Sequence, residues 1–223
     1  RSRFLYATFF KCCVTQLDAY NAAFRIPDLI FKLLVTGALS ASFIPVFSSH
    51  LHKNKKEAYQ MASSVINLLL IFFIAISIIA FVFAHPLSEL IATGFSPYQI
   101  DLMSNLTRIL LIAQIFFLIS NFLTAVLQVN QIFVIPALSP IIYNLIIILS
   151  IYILAPSFAI YGVAWGVVVG AFFHMAIQFP SVHSLGFIYS QIASFKLSGV
   201  KEIIRLMIPR TLSLGLAEIE NTV

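Results

Sequence analysis

An all-α, polytopic bundle of transmembrane helices is predicted from three observations. Hydrophobic residues make up 61% of the 223-residue chain and charged residues only 9%. Soluble domains carry about 25% charged residues, so a fold this poor in charge needs the bilayer as its solvent. From Ile109 to Phe195 there is no Asp, Glu, Lys or Arg. The lysines and arginines that do occur collect in short stretches between apolar runs, as they do in the loops of membrane proteins.

The segments follow in order. Phe4–Val14 reads as the tail of an earlier helix. Tyr20–Ser49 is long and apolar but contains Arg25, Asp28 and Lys32. Ala62–Ala84 is an uninterrupted span ended by His85-Pro86. About 20 residues of helix cross the hydrocarbon core, so the charge-free stretch has room for three crossings. Gln128-Val129-Asn130-Gln131 and Ala155-Pro156-Ser157 divide it, and Pro180-Ser181-Val182-His183-Ser184 closes it, giving helices near 103–128, 132–154 and 158–180. Ile203–Val223 opens a last segment. Helices are expected throughout, because open backbone cannot sit in lipid. Residues 1–223 thus read as a single transmembrane lobe of about seven membrane segments, the first and last incomplete. A start at Arg1 rather than Met suggests a piece of a longer protein.

Lys53, Lys55 and Lys56 lie in one loop, and Lys196, Lys201 and Arg205 precede the last segment. The positive-inside bias makes loops 50–60 and 181–202 cytoplasmic. Four spans between them return the chain to the same side, consistent with that assignment.

Little in the sequence suggests bond-making chemistry. Cys12 and Cys13 are adjacent and form neither a disulfide framework nor a zinc pattern. No nucleophile motif or phosphate loop is present, so no enzyme and no cofactor or metal is predicted. The net charge of +5 sits in interhelical loops, which argues for membrane topology and against a nucleic-acid partner. Gly162, Gly166 and Gly170 recur every four residues, a helix face built for close packing against a neighbour. Pro27, Pro45, Pro136, Pro140 and Pro209 lie in or near the spans, where proline bends helices. Asn67, Gln114, Asn121, Asn144, His174 and Gln178 read as hydrogen-bond formers between helices. The most pointed signal is Arg25-Ile-Pro-Asp28-Leu-Ile-Phe-Lys32. Its charges fall at i, i+3 and i+7 on one helix face. A charge at membrane depth costs at least about 2.5–3.5 kcal/mol and usually faces a bundle interior or a wet cavity. Such a face suits an anionic headgroup such as a pyrophosphate, with arginine supplying forked donors and lysine a point charge. Two other readings stay open: Asp28 pairs with Arg25 and Lys32 as a structural network, or the basic side chains snorkel to the interface.

The run Asp18-Ala-Tyr20-Asn-Ala-Ala-Phe24-Arg25-Ile-Pro27-Asp28-Leu, continuing through Thr36-Gly37-Ala38-Leu-Ser40-Ala-Ser-Phe43-Ile-Pro45, resembles the MurJ/MviN family of lipid II flippases. Ile135-Pro136-Ala137 with Pro140 and Asn144 is similar to that family's fifth helix. Ala164-Trp165-Gly166 with Gly170, and Gln178-Phe-Pro180, resemble its sixth, and Met207-Ile-Pro209-Arg210-Thr-Leu212 the opening of its seventh. The resemblance implies the N-terminal lobe of a two-lobed fold of fourteen helices. It implies transport of an undecaprenyl-pyrophosphate-linked peptidoglycan precursor across the bacterial inner membrane by alternating access. The partners implied are this lipid-linked anionic substrate, the bilayer and proteins of cell-wall synthesis. Arg3, Arg25 and Lys32 match basic residues of the family's cationic cavity, and Arg210 is a further candidate, with Asp28 orienting its neighbours. The sequence departs from the pattern at Phe31, where the family has the first arginine of a pair, at Thr36 for a glutamate, and at Lys11-Cys12-Cys13-Val14 for a Phe-Gly-x-Gly turn. Export of another lipid-linked polysaccharide or of a drug, and a non-transporting scaffold for which Phe31 argues, are the alternatives.

Overall fold

The structure, a computed structural model, describes residues 14–36, 42–195 and 197–220. Arg3, Cys12, Cys13 and Lys196 lie outside these residues, as does the side chain of Arg210. The described chain is helical, with ten α-helices in order: α1 (Val14–Ala23), α2 (Arg25–Phe31), α3 (Ile44–Lys53), α4 (Lys55–Val82), α5 (Ala84–Ile91), α6 (Pro97–Val129), α7 (Val134–Ile153), α8 (Ala155–Ala176), α9 (Phe179–Ser184) and α10 (Ser198–Glu220). A π-helical turn, Lys32–Thr36, continues α2. Helices α4, α6, α7 and the pair α8–α9 are each long and apolar enough to cross a membrane.

These four correspond to the charge-free spans of the sequence, with shifted ends. Helix α6 begins at Pro97 rather than near 103, because Ser96 caps it: the hydroxyl accepts from the Gln99 amide at 3.4 Å while the Ser96 amide donates to Gln99 Oε1 at 3.1 Å. Proline in the first turn suits both α6 and α8, since those N–H groups have no helical acceptor. Ala155-Pro156-Ser157 divides the two spans as the sequence indicates: α7 ends at Ile153, Pro156 lies in the first turn of α8, and the chain kinks at Ala159, φ 49 and ψ −131, before the long part of α8. The span read as ending at His85-Pro86 does end there, with α4 closing at Val82 and Phe83 leading into the short helix α5. The segment read as one span over Tyr20–Ser49 is instead broken into pieces.

Helix α6 is the central post. Its first half packs against α1 and α8 through Leu106, Leu110 and Ala113; its second half packs against α3 and α4 through Leu118, Phe122 and Val126. Outer faces are apolar as well. On α7, Val134, Leu138, Ile141, Leu145, Ile148 and Tyr152 recur at helical spacing and are exposed, whereas Ser139, Tyr143, Ile147 and Ser150 are buried. An exposed stripe of branched aliphatics over a buried face with serines is the arrangement expected where the surrounding solvent is lipid.

The most extensive helix contact joins α7 and α8, and the glycines make it. A Cβ on Gly166 would stand 2.4 Å from Ser150 Cβ, and one on Gly170 would stand 2.9 Å from the Tyr143 ring. Gly162 faces the preceding corner, where a Cβ would meet the Leu154 carbonyl carbon and oxygen at 2.6 Å. Without side chains at these positions, the two backbones approach closely.

At one end of the bundle the chain between α9 and α10 runs in extended conformation along α4. Backbone there has no helical partners, so α4 side chains supply them. Tyr59 Oη donates to the Leu185 carbonyl at 3.2 Å, and the Ser190 amide donates to Ser63 Oγ at 3.2 Å. The Ser194 amide donates to Ser64 Oγ at 2.8 Å, and Asn67 Nδ2 donates to the Ser190 and Ile192 carbonyls at 2.9 and 3.0 Å. The segment leading to α10 therefore lies against the first half of α4.

Candidate functional site

The charged segment is positioned by a helix break. Pro27 has no N–H to give to the carbonyl of Ala23 four residues earlier. The chain turns at Phe24, and Thr107 Oγ1 of α6 donates to the freed Ala23 carbonyl at 3.1 Å. Two turns further along α6, Gln114 Nε2 donates to Asp28 Oδ1 at 2.8 Å. Three residues beyond, the Phe117 ring meets Phe31 edge-on, 6.5 Å between centroids. Contacts rise together in number along both segments, so α2 and α6 run in the same direction.

Helix α2 thus presents two faces. Ile26, Pro27 and Ile30 are buried, while Arg25, Asp28 and Lys32 lie on the open side, all three exposed. Asp28 is tied to α6 through the Gln114 amide. Arg25, one turn away, makes no hydrogen bond or ion pair with any described residue. Lys32 sits where the α-helix passes into the π-helical turn, a local irregularity often found at functional sites. The arrangement is a basic pair flanking an oriented carboxylate on an open face, with aromatic packing beneath.

Of the sequence-derived candidates, Arg25, Asp28 and Lys32 come together here. Arg3 and the Arg210 side chain fall outside the described residues. Arg108 does not join the group: its Nε donates to the Phe81 carbonyl at 3.2 Å and its guanidinium lies 5.7 Å from the Phe81 ring, at the C-terminal end of α4. Phe31 is part of an aromatic cluster: Phe117 also meets Tyr143 and His174, with centroids 5.2 and 5.4 Å away. Beneath them His174, Ser120, Gln178 and Thr124 form a network. Ser120 Oγ lies 2.6 Å from His174 Nδ1, Gln178 Nε2 donates to Ser120 Oγ at 2.6 Å, and Thr124 Oγ1 donates to Gln178 Oε1 at 2.9 Å. Gln114 bonds between helices as the sequence indicates, whereas sequence reading missed the roles of Thr107 and Phe117 in holding α2. Their spacing on one face of α6 was the available signal, but nothing in it names α2 as the partner.

Comparison with known proteins agrees with this architecture. The family model described as lipid II flippase MurJ matches residues 8–223. A probable lipid II flippase MurJ of Buchnera aphidicola subsp. Schizaphis graminum is 28% identical over 200 residues, covering 87% of this chain and 39% of the relative. The lipid II flippase MurJ of Burkholderia cenocepacia is 24% identical over 211 residues, covering 91% of this chain and 41% of the relative. The chain therefore spans about two fifths of the length of the curated relatives it matches. Among solved structures, a lipid II flippase MurJ in an inward closed conformation superposes with a TM-score of 0.76 at 25% identity, over 99% of this chain and 46% of that one. A MOP superfamily transporter from Pyrococcus furiosus shares the fold at a TM-score of 0.61 and 17% identity. With the match running from residue 8 to residue 223, the chain belongs to the lipid II flippase MurJ family.

Proposed function

We propose that this chain is one lobe of a flippase that moves lipid II, or a closely related lipid carrying an anionic pyrophosphate, across the membrane by alternating access. The observation that carries the proposal is the open face of α2, with Arg25, Asp28 and Lys32 exposed on a segment whose other face is packed and which this reading places within the membrane. Charges at that depth are costly and persist where they meet a ligand or water. Arg25 and Lys32 supply donors for phosphate oxygens, and Asp28, fixed by Gln114, sets the spacing between them. The family resemblance adds Arg3 and Arg210 as further basic candidates for this headgroup. Loops 50–60 and 181–202 face the cytoplasm in this reading, in keeping with their lysines. The reaction makes and breaks no covalent bond.

The test is complementation with the full-length gene that contains this chain, in bacteria depleted of their own lipid II flippase. Wild type restores growth, and Arg25→Ala and Lys32→Ala, at matched membrane levels, fail to do so. Loss of about one to two decades in transport per basic residue corresponds to the roughly 1.5–3 kcal/mol of a hydrogen bond to a charged group. Full growth with both variants, or no rescue by well-expressed wild type, sinks the lipid II assignment. In the second case the Phe31→Arg variant tests whether the arginine missing from the family pattern is the cause.

A further inference from the structure

We infer that the lysine-bearing end of α4 and the groove beside it form a binding site for an anionic phospholipid, apart from the α2 face and sharing no residue with it. Two adjoining cavities make the site. The first, of ≈ 400 Å³, is lined by Lys55, Lys56, Tyr59, Gln60 and Ser190. The second, of ≈ 420 Å³, is an apolar trench between α4 and α6, lined by Ile66, Leu70, Ile119 and Leu123. Ile188 lines both, so the two cavities adjoin at this one side chain.

The polar end is electropositive beyond its lysines. Lys55 and Lys56 occupy the first turn of α4, where the helix dipole already places partial positive charge and cations are unfavourable. Glu57 offsets one charge and is held to the cap by Asn54 Nδ2 at 2.9 Å. Lys55 Nζ lies 5.7 Å from the centroid of the Tyr59 ring, which keeps it at the cavity mouth. An anion lodged there would relieve the mutual repulsion of lysines and dipole. The walls are fixed, because the loop segment is tied to α4 through Ser63 and Asn67. Gly186, at φ +78, makes a turn that other residues rarely adopt; it sends Phe187 inward and leaves Ile188 79% exposed as the partition between the cavities.

The dimensions suit a lipid. From Tyr59 to Leu70 the helix rises about 16 Å at 1.5 Å per residue, roughly half the thickness of the hydrocarbon core. A phosphate at the lysines would therefore place an acyl chain in the trench at the depth of a single leaflet. A soluble phosphate fills only the polar cavity, and a zwitterionic lipid lacks the net charge.

The test uses the full-length protein containing this chain, purified in detergent, with lipid adducts counted by native mass spectrometry. Dioleoylphosphatidylglycerol is titrated against dioleoylphosphatidylcholine, and glycerol 1-phosphate is added as the headgroup alone. Wild type should prefer phosphatidylglycerol, and each lysine removed should weaken that preference about fivefold, from roughly 1 kcal/mol per basic residue at an anionic surface. The K55Q/K56Q protein should thus lose most of the preference. Leu70→Trp, which fills the trench, should weaken both lipids and leave the lysines' preference intact. Equal binding of the two lipids by wild type, or an undiminished preference in K55Q/K56Q, overturns the proposal. Displacement of the lipid by glycerol 1-phosphate at equal concentration would show a phosphate site without an acyl-chain groove, and would overturn it as well.

Discussion

Replacing Gly166 with alanine tests how α7 and α8 hold together. The new Cβ would stand 2.4 Å from Ser150 Cβ and 2.8 Å from Ser150 Oγ, while the next atom, Ile147 Cα, is 3.9 Å away. Carbon atoms rest about 3.5–4.0 Å apart, so the helices must separate by about 1 Å or Ser150 must move into an already packed face. Overpacking of this kind costs about 1–3 kcal/mol. The gain in helix propensity from glycine to alanine, up to about 1 kcal/mol, offsets part of it. The clash is with a side chain, so it can be removed. Ser150→Gly alone should destabilise by about 1 kcal/mol through propensity, yet combined with Gly166→Ala it should restore much of the lost stability. The double variant should then be more stable than the sum of the singles by at least about 1 kcal/mol. Gly162→Ala provides the contrast: its Cβ would meet the Leu154 backbone at 2.6 Å, and no side-chain deletion can relieve that. The assay is reversible unfolding of the full-length protein in mixed micelles, followed by circular dichroism. Additivity of the two substitutions within about 0.5 kcal/mol would refute the contact, as would rescue of Gly162→Ala by Ser150→Gly.

Two further outcomes follow from buried and lipid-facing residues. Gln178 is fully buried and bonds Ser120, Thr124 and the His174 carbonyl; Gln178→Ala should destabilise by about 1–2 kcal/mol, at the upper end for polar contacts between membrane helices, whereas Asn144→Ala, whose amide donates to the Pro140 carbonyl in its own helix, should cost less in the same unfolding assay. Trp165, the one tryptophan of this chain, is 44% exposed near the middle of α8. In a full-length protein with any other tryptophans replaced, its fluorescence should be quenched by phospholipids brominated on the acyl chain, and quenching only by aqueous iodide would place this face against water.

The four long spans were legible because their signal is one of composition. A stretch with no charge from Ile109 to Phe195 has few options in a membrane, and turn residues mark where it divides. Which face of each helix points inward was far less legible. In a soluble helix polarity separates the faces, but on α7 both the buried Ile147 and the exposed Ile148 are isoleucine. Only the small residues break that degeneracy, which is why Gly162, Gly166 and Gly170 indicated a packed face without naming its partner. Segment 20–49 was harder still: Pro27 breaks the helix, and the carbonyl it frees is satisfied by Thr107, a residue distant in sequence. The bond from Gln114 to Asp28 has the same character. The sequence shows both groups as polar residues in apolar runs, and only the fold makes them a pair.

That pairing bears on how a lobe can carry a ligand without coming apart. The face with the charges is attached to α6 by two hydrogen bonds, Thr107 to Ala23 and Gln114 to Asp28, and by the edge contact of Phe31 with Phe117. Each lies on the packed side or reaches the carboxylate, and none involves Arg25. Arg25 therefore stays on the open side while the helix that carries it is docked. Where the family pattern has arginine, Phe31 extends this docking into the aromatic cluster around Tyr143 and His174. In place of a cation this position carries an aromatic ring that seats α2 on α6. Under the proposed flippase function, the grip on a headgroup therefore falls on Arg25 and Lys32.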